Sequence, residues 1–360
     1  MFSYLAVALA SCVGAAFPGA AAGVLGPVLV VGLIGLGIAH GACDQLVLPA
    51  YRPMPATGWR YQVRFGAGYL GLAGAVALAW WQWPGVAVGL FFALSAWHWG
   101  SADAPAYPRQ GVWVVHSLLR GALLLALPAA CWPAEATQHV NGLLAIAGAT
   151  PVVAGSWPGA TAGLVLAGHL LLWGYFSRQQ KPGYWYRDAR EVALLVGLFW
   201  TLPPLLGLGV YFVFWHSLQH VLRLAPLLGY RTRPGQPWLA VGREMAFFMR
   251  RALPMLALST ALLAGAYGLC RTWLSAGNTW LGLAVLGAAV ITLPHALLVS
   301  LVMDAPKWRR PSNTASAGLN QHPQQGLQHG PHIGSQQALA GGIRVHAVAQ
   351  VQLGAAEHAG

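Results

Sequence analysis

Two histidines lie four residues apart in the segment VYFVFWHSLQHVLRL, which spans residues 210–224 and is otherwise almost entirely apolar. Residues i and i+4 of a helix share one face, with Cβ atoms about 5–6 Å apart. His216 and His220 could therefore offer two imidazoles to one metal ion, as paired histidines do on the helices of metalloenzymes. The alternative is that each ring forms a hydrogen bond to a neighbouring helix, and this segment alone does not decide between the two.

The composition of the chain shows why histidines in this segment are costly. Of the 360 residues, 57% are hydrophobic and only 8% are charged, whereas about a quarter are charged in an ordinary soluble domain. Apolar runs long enough to cross a hydrocarbon core of ~30 Å recur along the chain. The sequence therefore predicts an all-α, polytopic transmembrane helix bundle of about 8–10 spans, in which buried ionisable groups mark functional sites.

Ten apolar segments are candidate spans. They cover approximately residues 2–18, 25–48, 66–83, 85–100, 111–131, 157–177, 191–208, 209–225, 251–270 and 279–303. A shorter apolar stretch around 140–154 is predicted to be re-entrant or interfacial. The segment LPPLLGLGV must break the helix between the seventh and eighth spans, because proline cannot continue an α-helix.

Positive charge is distributed unevenly between the links that join these spans. The lysines and arginines of the links follow even-numbered spans, and the links after odd-numbered spans hold only Arg271. The positive-inside rule then places both termini in the cytoplasm, for a multi-pass protein of the cell inner membrane. The net charge of +12 thus reflects topology, and no basic patch interleaved with aromatic residues suggests nucleic-acid binding. The cysteines form no CxxC pair, so neither a disulfide framework nor a zinc knuckle is indicated.

The chain divides into two parts by composition. Residues 1–305 are predicted to form a multi-span membrane catalytic domain. The segment SNTASAGLNQHPQQGLQHGPHIGSQQ, which begins at residue 312, is rich in Gln, Gly, Ser and His and has no apolar period. We therefore expect residues 306–360 to form a disordered cytoplasmic tail.

Seven histidines fall within the predicted spans, and the assigned orientation places them all in the cytoplasmic half of the bilayer. They are His40, His98, His116, His169, His216, His220 and His295. Of these, His40 and His98 lie near the cytoplasmic ends of their spans, at a depth similar to that of His216 and His220. These four predict a metal site. Ligation by imidazole alone suits Zn, Cu, Fe or Ni, so the spacing leaves the metal open.

Two aspartates follow the candidate ligands closely. Asp44 lies four residues after His40, and Asp103 lies five residues after His98. A metal-bound imidazole usually donates its other N–H to a carboxylate or carbonyl oxygen. Asp44 is therefore predicted to orient His40 or to bond a neighbouring helix, and Asp103 to orient a ligand or to cap the end of its span.

The other neighbours of the histidines are small or aromatic. Gly41 and Gly100 would permit the close helix approach that small residues allow in membranes. The aromatic side chains could line an apolar, elongated substrate pocket or anchor helix ends at the membrane interface. They are Trp97, Trp99, Tyr211, Phe212, Phe214 and Trp215.

Five segments, in this order along the chain, resemble the Brp/Blh family of β-carotene 15,15′-dioxygenases: GIAHGACDQLVLPA, FFALSAWHWGSADA, GHLLLWGYF, VYFVFWHSLQHVLRL and ITLPHALLVSLVMD. The resemblance covers about residues 25–305 and implies a membrane enzyme with non-haem Fe²⁺ held by four histidines. By motif these are His40, His98, His216 and His220. The family adds O₂ across the central double bond of β-carotene to give two retinal molecules. Because such a substrate is apolar, we expect it to be drawn from membrane lipid.

The sequence departs from the family pattern beside the metal ligands. Ala39 stands where the family has Pro, Gln45 where it has His, and Ser101 where an acidic residue often follows. None of these changes removes a proposed ligand, although each alters the surroundings. The LPHALLV segment is intact, so His295 is predicted to assist near the pocket, a structural interhelical bond being the alternative. His295 and Asp44 are the candidate catalytic residues beside the four ligands.

Functions from other classes remain compatible with these residues. Buried His and Asp side chains also serve transporters and proton relays, and a helix break near mid-membrane occurs in transporters. Facing histidines could instead hold a haem for electron transfer. A di-iron site of the desaturase type is disfavoured, because it requires further histidine-rich boxes.

Overall fold

The computed structural model describes residues 2–51, 58–107, 109–146, 148–153, 155, 157–231, 237–270 and 279–308. Within these residues every regular element is a helix, and no strand occurs. The predicted tail, residues 306–360, lies outside the described residues from residue 309 onward. Its first three residues belong to a short helix, Ala305–Trp308.

The described residues form fourteen α-helices. They are α1 (Phe2–Ala16), α2 (Ala21–Gly32), α3 (Asp44–Tyr51), α4 (Trp59–Gln82), α5 (Pro84–Asp103), α6 (Gln110–Cys131), α7 (Pro133–Ile146), α8 (Trp157–Arg178), α9 (Pro182–Thr201), α10 (Pro204–Val210), α11 (Leu218–Leu227), α12 (Pro237–Cys270), α13 (Thr279–Leu298) and α14 (Ala305–Trp308). Three π-helical turns, Leu33–Ile38, Tyr211–Ser217 and Val299–Met303, continue α2, α10 and α13. A 3₁₀ turn, Ala39–Gly41, follows the first of them.

Six helical segments among the described residues are long and apolar enough to cross a membrane, as a multi-pass membrane protein requires. They are Ala21–Ala50, Trp59–Gln82, Gln110–Cys131, Pro158–Arg178, Pro204–Leu227 and Val241–Leu262, and Phe2–Ala16 and Gly287–Met303 are shorter apolar helices. In Gln110–Cys131 and Pro204–Leu227, 50% and 56% of the residues in an apolar window of 18 residues are buried. In Trp59–Gln82 the corresponding share is only 11%. The first two are therefore central in the bundle, and α4 lies at its periphery.

The seventh predicted span, 191–208, is displaced in the structure. α9 ends before that range does, and a break separates it from α10, which begins with Pro204. Proline is favoured at the first position of a helix, where no backbone N–H is needed. α9 also carries the buried Asp188 and Glu191. Hydropathy placed this span too late because it follows apolar residues and cannot anticipate that these carboxylates find partners.

α5 and α6 pack with their backbones in close contact. A Cβ atom on Gly100 would lie 1.9 Å from the carbonyl oxygen of Ser117, and one on Gly121 would lie 1.8 Å from that of Ala96. Only glycine permits this approach, as predicted for Gly100. The same prediction is wrong for Gly41, where a Cβ would meet nothing closer than 3.7 Å.

Candidate metal centre

Five buried histidine rings meet inside the bundle, and we call them the histidine cluster. The cluster comprises His40 from the 3₁₀ turn, His98 from α5, His216 from the π turn Tyr211–Ser217, His220 from α11 and His295 from α13. All four predicted metal ligands are thus brought together, and His295 joins them. Because they come from separate segments of the chain, the cluster exists only in the folded bundle.

The rings of the cluster pack edge to face at short distances. The centroid of His295 lies 4.9 Å from those of both His40 and His98, and His98 lies 4.9 Å from His216. His220 completes the group at 5.3 Å from His40 and 5.4 Å from His295.

Three of the rings satisfy the distance requirement of a metal site most closely. One nitrogen each of His40, His98 and His295 lies within 4.8 Å of the other two. Three imidazole nitrogens bound to one ion at about 2.1 Å each are about 3.4–3.6 Å apart. Nitrogens 4.8 Å apart would therefore each have to move by about 0.7 Å toward a common ion to reach bonding distance.

Unpaired nitrogens are concentrated in the cluster. Eight buried side-chain N or O atoms among the described residues have no hydrogen-bond partner, and six of them belong to His98, His216, His220 and His295. A buried polar atom without a partner costs about 1–3 kcal/mol. Unpaired nitrogens concentrated in one place are typical of a metal-binding site, because a metal ion would bond the nitrogens that the protein leaves unpaired.

The proton positions of two cluster rings are set by their other neighbours. Nδ1 of His40 bonds the carbonyl oxygen of Gly37. Nδ1 of His295 lies 3.0 and 2.9 Å from the two carboxylate oxygens of Asp44, which also accepts a hydrogen bond of 3.0 Å from the hydroxyl of Tyr69. A neutral imidazole that donates from Nδ1 has its lone pair on Nε2, which is the form that binds a metal.

Asp44 thus bonds a histidine of a neighbouring helix, one of its two predicted roles. His40 lies in the 3₁₀ turn Ala39–Gly41, and two further turn residues, Ala42 and Cys43, precede the start of α3 at Asp44. The interval from His40 to Asp44 is therefore not one regular helical turn, and the i,i+4 geometry does not apply. Asp44 faces His295 instead.

His220 has a different environment. Nη2 of Arg223 lies 3.4 Å from Nδ1 of His220. A guanidinium can only donate hydrogen bonds, so Nδ1 of His220 is the acceptor. Arg223 is held in turn by Asp304, at 3.3 Å, whose carboxylate also accepts a hydrogen bond of 3.1 Å from Lys307. A donor at Nδ1 favours a proton on Nε2, so the ring of His220 is not preset for metal binding in the way that His295 is.

Aromatic side chains contact the cluster from inside the bundle. The ring of Phe212 stacks on that of His216 at 5.9 Å and meets His40 edge-on at 5.5 Å, and Trp99 lies 6.2 Å from His216. Tyr211 packs against Trp99 at 5.8 Å. Of the two roles considered for these residues, the contacts fit walls of the site better than interface anchors.

An apolar cavity of about 360 Å³ lies between α5, α6 and α13 with its π turn. Its lining comprises Leu94, Trp97, Gln110, Trp113, Val114, Ala296, Leu297, Ser300 and Leu301. Trp97 is adjacent in sequence to His98, and Ala296 to His295, so the cavity borders two of the helices that carry the cluster. Leu297 and Leu301 are 38% and 50% exposed, which places the mouth of the cavity on the apolar outer surface.

A second group of buried polar residues lies on α6, α8 and α9, and we call it the Arg120 network. The Asp188 carboxylate accepts hydrogen bonds from His116 at 2.8 Å, His169 at 2.8 Å, Trp173 at 2.7 Å and Arg120 at 3.4 Å. His116 and His169 therefore belong here and not to the histidine cluster, although their predicted depth was similar.

Glu191 is the other carboxylate of the Arg120 network. It accepts hydrogen bonds from Arg120 at 2.6 Å, from Arg187 at 3.0 Å and from the hydroxyl of Tyr4. Arg120 and Glu191 are 2% and 3% exposed, so these are buried ion pairs. The hydrogen bonds of the network join α1, α6 and α9.

Asp103 connects this network to the cluster side of the bundle. Its carboxylate accepts a hydrogen bond of 2.9 Å from Tyr211 and lies 3.8 Å from Nη2 of Arg120. Neither predicted role is observed, since Asp103 bonds no histidine of the cluster among the described contacts, and at the C-terminal end of α5 it cannot act as an N-cap. It links the last turn of α5 to the π turn that carries His216.

Sequence reasoning missed several of these residues. Arg120 and Glu191 lie inside predicted spans, 111–131 and 191–208, so the rule that singled out the histidines would have found them too. Tyr69 carries no such signal, because a tyrosine in an apolar span resembles an interface anchor.

Comparison with known proteins gives a consistent result. A family model described as "Beta-carotene 15,15'-dioxygenase" matches residues 31–303. The chain is 31% identical over 303 residues to "Probable beta-carotene 15,15'-dioxygenase Blh" of Halobacterium salinarum, covering 76% of this chain and 82% of that protein. It is 25% identical over 244 residues to "Beta-carotene 15,15'-dioxygenase" of an uncultured marine bacterium, covering 65% of this chain and 78% of that protein. No solved structure matches the chain.

Proposed function

Because this chain belongs to the β-carotene 15,15′-dioxygenase family, we propose that it is an iron-dependent dioxygenase of β-carotene or a related carotenoid. The central carbon–carbon double bond breaks, and each of its two carbons receives one atom of O₂. One carotene and one O₂ give two retinal molecules. The balance requires no other oxidant or reductant and releases no proton.

The histidine cluster is the proposed site of Fe²⁺. The resemblance implies His40, His98, His216 and His220 as ligands. The burial of all four, together with the unpaired nitrogens of His98, His216 and His220, supports that assignment. Neutral imidazoles in an apolar surrounding fit a divalent first-row ion, Fe²⁺ among them. When bound, iron would supply the redox chemistry that O₂ requires to react with a polyene.

The protein itself would hold the ligands in place and keep water away from them. The carbonyl of Gly37 fixes the proton of His40 on Nδ1, and the carboxylate of Asp44 does the same for His295. The rings of Phe212 and Trp99 cover the cluster, and a dry site protects reactive species from side reactions.

The carotenoid would enter from lipid through the apolar cavity. Its lining is almost entirely hydrophobic, and two of its leucines are on the outer surface. Binding pockets of about 300–1,000 Å³ are usual for small molecules, so a cavity of about 360 Å³ would accommodate part of a long polyene and its end ring.

We propose that the protein is a multi-pass protein of the cell inner membrane with both termini in the cytoplasm.

The observation that carries the proposal is the buried cluster of histidines with unpaired nitrogens in a chain of this family. The test is to express the chain in carotene-producing cells and to measure retinal by chromatography. We expect retinal from the wild type and none above background from His216→Ala or His220→Ala. Undiminished retinal formation in both variants would remove these two residues from the site.

The cavity has its own test. Leu297→Trp would fill it, and we expect KM for β-carotene to rise about tenfold with iron content unchanged, because loss of about 1.4 kcal/mol of apolar contact has that effect on binding. Leu118→Trp on α6 is the control, since Leu118 is 53% exposed and does not line the cavity. Equal kinetics in the two variants would place the substrate elsewhere.

A transporter or proton relay is the alternative function. The specific observation in its favour is that the Asp188 carboxylate bridges His116 and His169 inside the bundle. A relay needs no stoichiometric iron, so the iron content of protein purified without oxygen separates the two functions. We expect one Fe²⁺ per chain.

A further inference from the structure

We propose that His295 is itself a metal ligand, through Nε2, and that Asp44 and Tyr69 position it. The inference deepens the proposed function and rests on it, because it concerns the same metal. It would add a fifth imidazole, from α13, to the four that the resemblance implies.

Position is the first reason. His295 is one of the three histidines whose nitrogens lie within 4.8 Å of one another, and neither His216 nor His220 belongs to that trio. Its ring centroid lies 4.9 Å from both His40 and His98. An ion placed among His40 and His98 therefore also has His295 beside it.

The state of the ring is the second reason. Nδ1 of His295 is occupied by the Asp44 carboxylate, and its Nε2 is buried without a partner. This is the arrangement found behind metal-bound histidines, where a carboxylate fixes the tautomer and makes the ligand more basic. His220 lacks it, because a donor, Arg223, faces its Nδ1.

The carboxylate that holds His295 is itself held. Asp44 is 2% exposed and lies in the first turn of α3, where the helix dipole favours a negative charge. Its Oδ2 accepts the hydroxyl proton of Tyr69 on α4 at 3.0 Å. Three elements thus fix the orientation of one imidazole, a precision that a ring serving only as packing would not require.

An acid–base role for His295 is the competing explanation, and the chemistry argues against it. The proposed reaction consumes one carotene and one O₂ and has no proton in its balance. An acid–base residue would therefore have no proton to transfer in this reaction, whereas a ligand nitrogen would hold the metal that the reaction requires.

The test uses full-length protein purified in detergent without oxygen. Affinity for Fe²⁺ is measured by competition with a coloured chelator, and the visible spectrum of Co²⁺-substituted protein reports the number of ligands. Four variants are compared: Asp44→Asn, His295→Ala, Tyr69→Phe and Tyr61→Phe. The last is a matched control on the same helix, because the hydroxyl of Tyr61 bonds the backbone oxygen of Gln45 and not Asp44.

We expect Asp44→Asn to weaken Fe²⁺ binding by about 10–100-fold, as loss of a group behind a ligand does. His295→Ala should weaken it further and change the Co²⁺ spectrum. Tyr69→Phe should cause a smaller loss in the same direction, and Tyr61→Phe none. Asp44→Asn preserves side-chain volume, so it carries the test if His295→Ala does not fold.

Wild-type Fe²⁺ affinity and an unchanged Co²⁺ spectrum in His295→Ala and Asp44→Asn would overturn the inference. If retinal formation nevertheless fell, His295 would act on the substrate. Failure of the wild type to bind Fe²⁺ at all would instead contradict the proposed function, so the two failures are distinguishable.

Discussion

Two buried polar regions lie within this bundle, and they differ in how their hydrogen-bonding groups are paired. In the Arg120 network the two carboxylates of α9 have a donor for each oxygen, and Asp188 alone accepts four hydrogen bonds. In the histidine cluster six nitrogens have no partner, whereas in the Arg120 network, among the described residues, Nε2 of His169 alone lacks one. Both regions are therefore buried and polar, and they differ in how many of their polar atoms have a hydrogen-bond partner.

Pairing indicates what each region is for. A buried network whose members satisfy one another fixes helices in place, and the ion pairs of Arg120 join α6 to α9. Unpaired buried atoms cost stability unless a ligand bonds them. We therefore expect metal binding to depend on the histidine cluster, and the stability of the folded protein to depend on the Arg120 network.

The largest effect is expected from His98→Gln. Because even groups behind a ligand contribute about 10–100-fold to metal affinity, we expect loss of a ligand to lower Fe²⁺ affinity by more than about 100-fold and retinal to fall to background. The metal-free protein should lose less than about 1.5 kcal/mol, since side-chain volume is nearly conserved. Chelator competition and thermal unfolding measure the two quantities. A large loss of stability with intact Fe²⁺ binding would reverse the assignment of the two regions.

Arg120→Met should show the opposite pattern. Breaking a buried ion pair costs about 3–5 kcal/mol because a charge is left without compensation, so thermal unfolding should occur at a much lower temperature. The Fe²⁺ affinity of the remaining folded protein should stay near that of the wild type. Arg187→Met is the control: that side chain is 46% exposed, and an exposed pair contributes at most about 1 kcal/mol.

Removal of the metal should affect the wild type alone. Ligand at a hundred times its Kd stabilises a protein by about 2.7 kcal/mol, so adding a chelator should lower the melting temperature of Fe²⁺-loaded wild-type protein. The same chelator should leave the melting temperature of His98→Gln unchanged. An equal shift in both proteins would mean that the chelator acts away from the cluster.

The smallest effect is expected from Gly100→Ala, because α5 contributes to both regions through His98 and Asp103. A Cβ there would lie 1.9 Å from the backbone of α6, and overpacking costs about 1–3 kcal/mol. Gly89→Ala on the same helix is the control, since a Cβ at that position meets nothing within 4 Å. We expect Gly100→Ala to lower both stability and Fe²⁺ affinity, and Gly89→Ala to lower neither. Identical behaviour of the two would contradict a close α5–α6 contact.

Much of the fold was predictable, because hydropathy reports which segments avoid water. Eight of the ten predicted spans overlap a helix at nearly the expected place. The span 251–270 covers only the later part of α12, whose apolar segment is Val241–Leu262. The span 191–208 shows the limit of the method: α9 begins at Pro182 and buries Asp188 and Glu191 against Arg120. Hydropathy treats a charge as exposed, and only tertiary structure supplies its partner.

Part of the candidate site was also predictable, because a rare residue type in an unfavourable solvent marks a location. Their similar predicted depth in the membrane grouped His40, His98, His216 and His220 as one site, and the structure places them together. Depth did not separate His116, which lies in the other region. The partner of Asp44 was left open for a related reason. The 3₁₀ turn that contains His40 changes the direction of the chain before α3 begins at Asp44, and an argument from sequence spacing assumes a regular helix.

The three π turns make the centre sensitive to the length of the chain. Leu33–Ile38 precedes His40, Tyr211–Ser217 contains His216, and Val299–Met303 follows His295. A π turn holds one residue more than an α turn, so deleting a single residue there would restore a regular helix and change the direction of the side chains that the turn carries. Such a deletion would alter neither hydropathy nor charge. Among natural relatives, a one-residue gap in any of these stretches would therefore be a stronger sign of lost activity than many substitutions elsewhere in the membrane.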